Sequence, residues 1–156
     1  EILSLDEYMP RLEMVLNTRD ELFVIARTDA TDLEEGILRA KEFTRAGADG
    51  VLVEGIVNLQ DIFEIREAVG EHVTLTVNLI AGGKTPPVTL SELNQLGVNL
   101  VNYSTPCLFS SQKAIEDTLE KLIKDDGKLL PSEGGVDLAS NNKILKEILI
   151  STLNQG

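Results

Sequence analysis

The 156-residue chain is 42% hydrophobic with few aromatics, a balance that fits an ordinary α/β domain and neither a disordered segment nor a membrane span. Fourteen basic against 26 acidic residues give a net charge of −12, so no basic stripe exists to release counterions from phosphates, and nucleic acid is excluded as a partner. A single cysteine, Cys107, rules out an internal disulfide framework; with no basic-then-apolar leader and no apolar run near ~18 residues, a cytoplasmic protein without a membrane anchor is expected.

Leu5 to Thr18 has a helical pattern, but Pro10 inside it would cost ~3 kcal/mol in a helix interior. The helix is therefore expected to start near Tyr8 or to kink there. Leu22 to Arg27 then forms the first of four apolar runs that each end on a polar residue: Phe23–Arg27, Val51–Glu54, Leu75–Asn78 and Leu100–Tyr103. Continuous aliphatic and β-branched runs of this length suit strands buried on both faces, as in a helix-covered parallel sheet. Helices fall between them. Thr31-Asp32-Leu33-Glu34 reads as a capping box, with Leu33, Ile37 and Ala40 at helical spacing and Gly47 at a left-handed cap. Asn58 precedes a helix carrying Leu59, Ile62 and Phe63, closed by Gly70. A glycine- and proline-rich loop, 81–87, follows the third strand. Thr89-Leu90-Ser91-Glu92 is a second capping box, with Leu90, Leu93 and Leu96 as its apolar stripe. After the fourth strand, Leu100 to Ser104, a helix from about Ser110 to Asp125 should turn Ile115, Leu119 and Leu122 inward. The pattern is βα repeated four times, with parallel strands joined by helical crossovers. Residues 131–139 read as a loop, and a helix from Ser140 carries Leu145, Ile148, Leu149 and Thr152 on one face. Whether that helix closes its own domain or packs on a neighbouring subunit stays open. The domain reading is thus 1–130 for the βα units and 131–156 for linker and packing helix.

The polar residues at the strand ends are the candidates for chemistry. Arg27 suits bidentate binding of carboxylate or phosphate, or an internal ion pair with Glu54 or Asp29. Glu54 occupies the same position one strand on and suits hydrogen bonding or proton transfer. Asn78 offers donor and acceptor at one point. Gly82-Gly83-Lys84-Thr85 is not a P-loop, because Asn78 stands where its first glycine belongs and Pro86-Pro87 block the helix it requires. A loop over an anionic ligand and a plain βα connection are equal readings of it. His72 is expected to be structural or exposed, and Cys107 an ordinary, partly buried thiol. One histidine and one cysteine cannot assemble a zinc site, a Cys-His dyad or a Ser-His-Asp triad within one chain. Asp32 is better explained as a helix cap than as a metal ligand.

Phe23-Val24-Ile25-Ala26-Arg27-Thr28-Asp29-Ala30, followed by Ala46-Gly47-Ala48-Asp49-Gly50-Val51-Leu52-Val53-Glu54-Gly55, resembles the isocitrate lyase and phosphoenolpyruvate mutase superfamily. Asn78 with Gly82-Gly83-Lys84-Thr85-Pro86 extends the match in order and spacing, over roughly Leu5 to Gly127. The look is nearest the 2-methylisocitrate lyase, oxaloacetate decarboxylase and carboxyphosphonoenolpyruvate mutase branch. The resemblance implies strands five to eight of a (β/α)8 TIM-type barrel plus a C-terminal, swapped helix. It further implies magnesium, a small α-oxo or hydroxy carboxylate substrate, an enolate intermediate and a homo-oligomer, dimer or tetramer. By position it makes Arg27, Asn78 and Glu54 substrate-binding, Glu54 also catalytic, and Gly82, Gly83 and Lys84 candidate loop contacts. The paired aspartates for the metal and the Lys-Cys-Gly loop belong to earlier strands and match nothing here, so no metal ligand is expected in this chain and a missing N-terminal half-barrel is the implied partner. Ile80 stands where the lyases often place a hydroxyl. The competing readings are a non-catalytic half-barrel binding or assembly module, which would leave two raw sheet edges exposed, and a small anion-binding module built on Lys84.

Overall fold

In the computed structural model, residues 2–129 and 135–153 are described. The chain divides into two compact units, Glu1–Leu108 and Phe109–Gly156.

The first unit holds a four-stranded parallel sheet in sequential order, β1 (Ile25–Thr28), β2 (Gly50–Val53), β3 (Thr74–Ile80) and β4 (Leu100–Ser104). Its helices are α1 (Leu5–Thr18), α2 (Leu33–Arg45), α3 (Leu59–Val69) and α4 (Leu90–Gln95). All four expected strands form, with shifted ends. β1 starts at Ile25, not Leu22: Ile25 pairs with Gly50, the first residue of β2, so nothing lies opposite Leu22 and Phe23, and both are exposed. Asp49 closes that entry, accepting from Val24 N at 2.8 Å and from the Arg19 guanidinium. β3 runs two residues beyond Asn78.

β2 is buried along its whole length, and two glycines make this workable. A Cβ on Gly50 would stand 3.0 Å from Thr74 O and 3.1 Å from Ile25 Cγ1; one on Gly36 would stand 3.0 Å from Val53 Cγ1. Gly36 thus lets the α2 backbone lie directly on the Val53 side chain. Phe43, Ala40 and Arg39 complete the buried face of α2, and Phe43 meets the Tyr8 ring with centroids 4.9 Å apart. Buried Arg39 donates to Glu35 at 2.6 Å and to Leu3 O at 2.8 Å. At the amino ends of the strands, buried Arg66 has no carboxylate partner within salt-bridge range among the described residues; it donates to Gly97 O, Gly70 O, Val73 O and Asn99 Oδ1 instead. Desolvation lowers its pKa, and the carbonyl dipoles are what stabilise the cation there.

Helix ends bring further differences. α1 starts at Leu5 despite Pro10, because Ser4 and Glu7 form a reciprocal capping box that fixes the first turn. α2 is capped by Asp32, whose carboxylate accepts from Glu35 N, one residue later than the expected Thr31 box. The Thr89–Glu92 box forms as expected. Phe63 and Leu90, expected on apolar stripes, are exposed.

α5 (Pro106–Lys124) starts four residues before Ser110, with proline at its first position, where the missing N–H costs nothing. The expected inward face of α5 is not buried: Ile115 and Leu119 are exposed and Leu122 only half-buried. In the second unit, α6 (Leu138–Leu153) starts two residues before Ser140, with Asp137 accepting from Ser140 N at 2.7 Å. Leu145 and Ile148 are exposed; the side chains of Leu149 and Thr152 lie outside the described residues. Among the described residues no helix is long and apolar enough to cross a membrane.

Phe43→Ala should destabilise the fold by about 3–5 kcal/mol, read as a lower denaturation midpoint at unchanged m-value. Hydrogen bonds from the Thr89 backbone and hydroxyl lower the pKa of Glu92, and those from Ser4 lower that of Glu7. A depressed folded pKa gives stability that is complete above the ordinary glutamate value of 4.5 and is lost as pH falls through the folded value. Glu92→Gln should therefore flatten the acid limb of melting temperature against pH; an unchanged limb would show the cap contributes nothing to it.

Candidate active site

Parallel register sets the site. Arg27 pairs with Leu52, Leu52 with Thr76, Asn78 with Asn102, and Ile80 with Ser104. Because side chains alternate along strands, Arg27, Glu54, Asn78, Asn102 and Ser104 share one face near the carboxyl ends. Glu54 follows β2 directly, and its N–H still donates to Thr28 O at 2.9 Å.

The structure joins these five into one chain of polar contacts. Arg27 Nε and Nη2 donate to Asp29 Oδ1 at 3.1 and 2.7 Å, and Nη1 lies 3.4 Å from Glu54 Oε2. Asn78 Nδ2 donates to the two Glu54 oxygens at 3.3 and 3.2 Å. Asn78 Oδ1 accepts from Asn102 Nδ2 at 2.9 Å and from Ser104 Oγ at 2.5 Å. The hydrogen bond to Asp29, with the nearby Glu54 charge, raises the Arg27 pKa, so the guanidinium stays cationic. Its side chain is 50% exposed, and an ion pair that exposed is worth at most ~1 kcal/mol. Arg27 can therefore exchange Asp29 for an incoming carboxylate at small cost.

A cleft of about 430 Å³ opens beside the network, lined among others by Asp29, Glu54, Gly55, Asn78, Ile80 and Lys84. Gly83 also lines it, whereas Gly82 serves the turn behind it. The expected trio of Arg27, Glu54 and Asn78 is brought together. Asn102 and Ser104 went unread, although both are polar residues at alternate positions of a strand already recognised. After them comes Thr105, a β-branched residue at φ 64°, a conformation that costs on the order of 1–3 kcal/mol and is held only where its surroundings demand it. His72 and Cys107 are both exposed, so the partly buried thiol expected at Cys107 is corrected: it sits in the first turn of α5. Asp32 is the α2 cap. Among the described residues no three His, Cys, Asp or Glu side chains converge in a way that could hold a metal ion.

The family model described as phosphoenolpyruvate phosphomutase matches residues 1–123. The chain belongs to that family. Among curated relatives, it is 29% identical over 131 residues to the 2,3-dimethylmalate lyase of Eubacterium barkeri, covering 81% of this chain and 45% of that protein. It is 34% identical over 111 residues to the petal death protein of Dianthus caryophyllus, covering 69% and 34% respectively. Among solved structures, that of an oxaloacetate acetylhydrolase superposes with a TM-score of 0.83 at 27% identity, covering 100% of this chain and 57% of that one. The chain spans half or less of the length of these curated relatives. This places it in the isocitrate lyase and phosphoenolpyruvate mutase superfamily, as an α/β unit of four parallel strands matching about half of its structural neighbours. Relatives in that superfamily are named as lyases, decarboxylases and phosphomutases.

Asn78→Asp would set a second carboxylate against Glu54 in place of a donor. Like charges at that range raise one of the two pKa values, so carbon-detected NMR of the variant should show a carboxyl titrating above the usual glutamate range.

Proposed function

We propose that this chain forms the substrate-gripping wall of an enzyme that breaks or makes a C–C or C–P bond in a small α-oxo or hydroxy carboxylate through an enolate. The observation that carries the reading is the strand-end network, in which one exposed cation, Arg27, stands beside an oriented carboxylate, Glu54. Arg27 donates its fork to the substrate carboxylate as Asp29 lets go. Asn78, with its oxygen tied to Asn102 and Ser104, holds the Glu54 carboxylate in a fixed orientation. Glu54 then accepts or returns a proton at the reacting carbon or hydroxyl, geometry that general acid–base work needs.

Magnesium, expected from the resemblance, would supply electrophilic stabilisation of the enolate oxygen. The described residues do not make a cage for it, so its ligands are assigned to other strands, and the roles above are those of this chain's own side chains. The free edges of β1 and β4 in the sheet support four further strands completing a barrel, with assembly as a homo-oligomer in the cytoplasm.

The test is release of pyruvate from oxaloacetate and from 2-methylisocitrate by the intact protein with magnesium. Turnover of one of them, lost at least about 100-fold in Arg27→Ala, is the expected result. No turnover of either, together with ligand binding untouched in Arg27→Ala, would sink the oxo-acid reading.

A further inference from the structure

We propose that Asn102 and Ser104 are positioning residues that make Glu54 the base of the reaction, by locking the Asn78 amide in the one orientation that suits an ionised Glu54. This rests on the oxo-acid reading above and deepens it, since that reading leaves open whether Glu54 first takes a proton or first gives one.

The contacts at Glu54 run one way. Asn78 Nδ2 donates to Oε1 at 3.3 Å and to Oε2 at 3.2 Å, and Arg27 Nη1 stands 3.4 Å from Oε2. Among the described residues, each side-chain hydrogen bond at this carboxylate is one that it accepts. An ionised carboxylate only accepts, whereas a protonated one must also donate. The arrangement therefore suits Glu54 before it holds a proton. Oε2 has two donor groups against it and Oε1 has one, so Oε1 is the oxygen left to take the proton.

What fixes Asn78 lies on β4. Asn102 stands opposite Asn78 in the register, and Ser104 follows on the same face. Both donate to Asn78 Oδ1, at 2.9 and 2.5 Å, and Asn102 Nδ2 lies 3.4 Å from Ser104 Oγ. With the Asn78 amide turned over, Oδ1 would face the two Glu54 oxygens and Nδ2 would face the Asn102 amino group. Acceptor would meet acceptor and donor would meet donor. Once Glu54 holds a proton, the turned state is satisfied at both ends. Its O–H donates to Asn78 Oδ1, and Asn78 Nδ2 donates to Ser104 Oγ and, after Asn102 turns as well, to Asn102 Oδ1. Ser104 needs to move only its hydroxyl hydrogen, because a hydroxyl both donates and accepts. The proton comes from a substrate hydroxyl or from the carbon beside its carbonyl. That O–H or C–H bond breaks, its electron pair stays on the substrate, and an O–H bond forms at Glu54 Oε1.

Two measurements on the intact protein test this. Carbon-detected NMR without substrate follows the Glu54 carboxyl carbon across pH, with Arg27 beside it and Asp29, Asp32, Asp61 and Lys84 around the same cleft left in place. Asn102→Leu and Ser104→Ala change no charge, so each should move that titration to higher pH only by loosening Asn78, and Ser104→Thr should move it back. With magnesium and oxaloacetate or 2-methylisocitrate, Ser104→Ala should lower kcat about 10-fold and change KM less than about two-fold, with Ser104→Thr restoring most of the loss. An unmoved titration would overturn the proposal, as would a loss that falls on KM or that Ser104→Thr leaves unrestored. A moved titration without turnover of either substrate would leave the lock on Asn78 standing and end the oxo-acid reading; turnover with an unmoved titration would do the reverse.

Discussion

A carboxylate at the end of a strand buried along its whole length has to be compensated, and Glu54 is that carboxylate. Only about a fifth of its side chain is exposed, so leaving it alone would cost several kcal/mol. Arg27 on one side and Asn78 on the other meet the demand, and in meeting it they lose their own freedom. The order then spreads outward, since Asn78 can present its amide hydrogens to Glu54 only while Asn102 and Ser104 hold its oxygen. A requirement imposed by the core of the sheet thereby fixes the residues on its rim.

Much of this was legible from the chain alone. Val51 to Val53 and Leu75 to Val77 read as strands because aliphatic and β-branched residues fill them, and a charged or amide residue closing such a run has few explanations. The failures have local causes. Leu22 and Phe23 look like strand residues, but a strand is as long as its partner allows, and β2 begins at Gly50. Thr31 and Asp32 head overlapping boxes, with Glu34 and Glu35 as the respective third residues; the sequence offers both, and the chain uses the second, with Asp32 accepting from Glu35 N. Ser4 and Glu7 are a capping pair that went unread, and their reciprocal hydrogen bonds fix the first turn ahead of Pro10. Ile115 and Leu119 have the spacing of a core face, yet spacing says what a helix can bury and not what is there to cover it.

The site itself divides in the same way. Arg27, Glu54 and Asn78 were found because each ends an apolar run. Asn102 and Ser104 sit on an edge strand whose exposed Leu100 and Tyr103 blur the contrast between buried and wet positions. Thr76, on the same face, has a buried hydroxyl with no partner among the described residues. No sequence pattern announces an unmet hydrogen bond, because it depends on what neighbouring strands fail to offer.

The register holds one more consequence. Ile25 pairs with Gly50, Gly50 with Thr74 and Thr76 with Leu100, so successive partners are 25, 24 and 24 residues apart. Each new strand closes a loop of nearly the same length and incurs nearly the same entropy, and each can dock as soon as its own helix has been made. Assembly along the chain, in the direction of synthesis, needs no distant segment to arrive first. The sheet is thus built to be added to from its last edge, one equal step at a time.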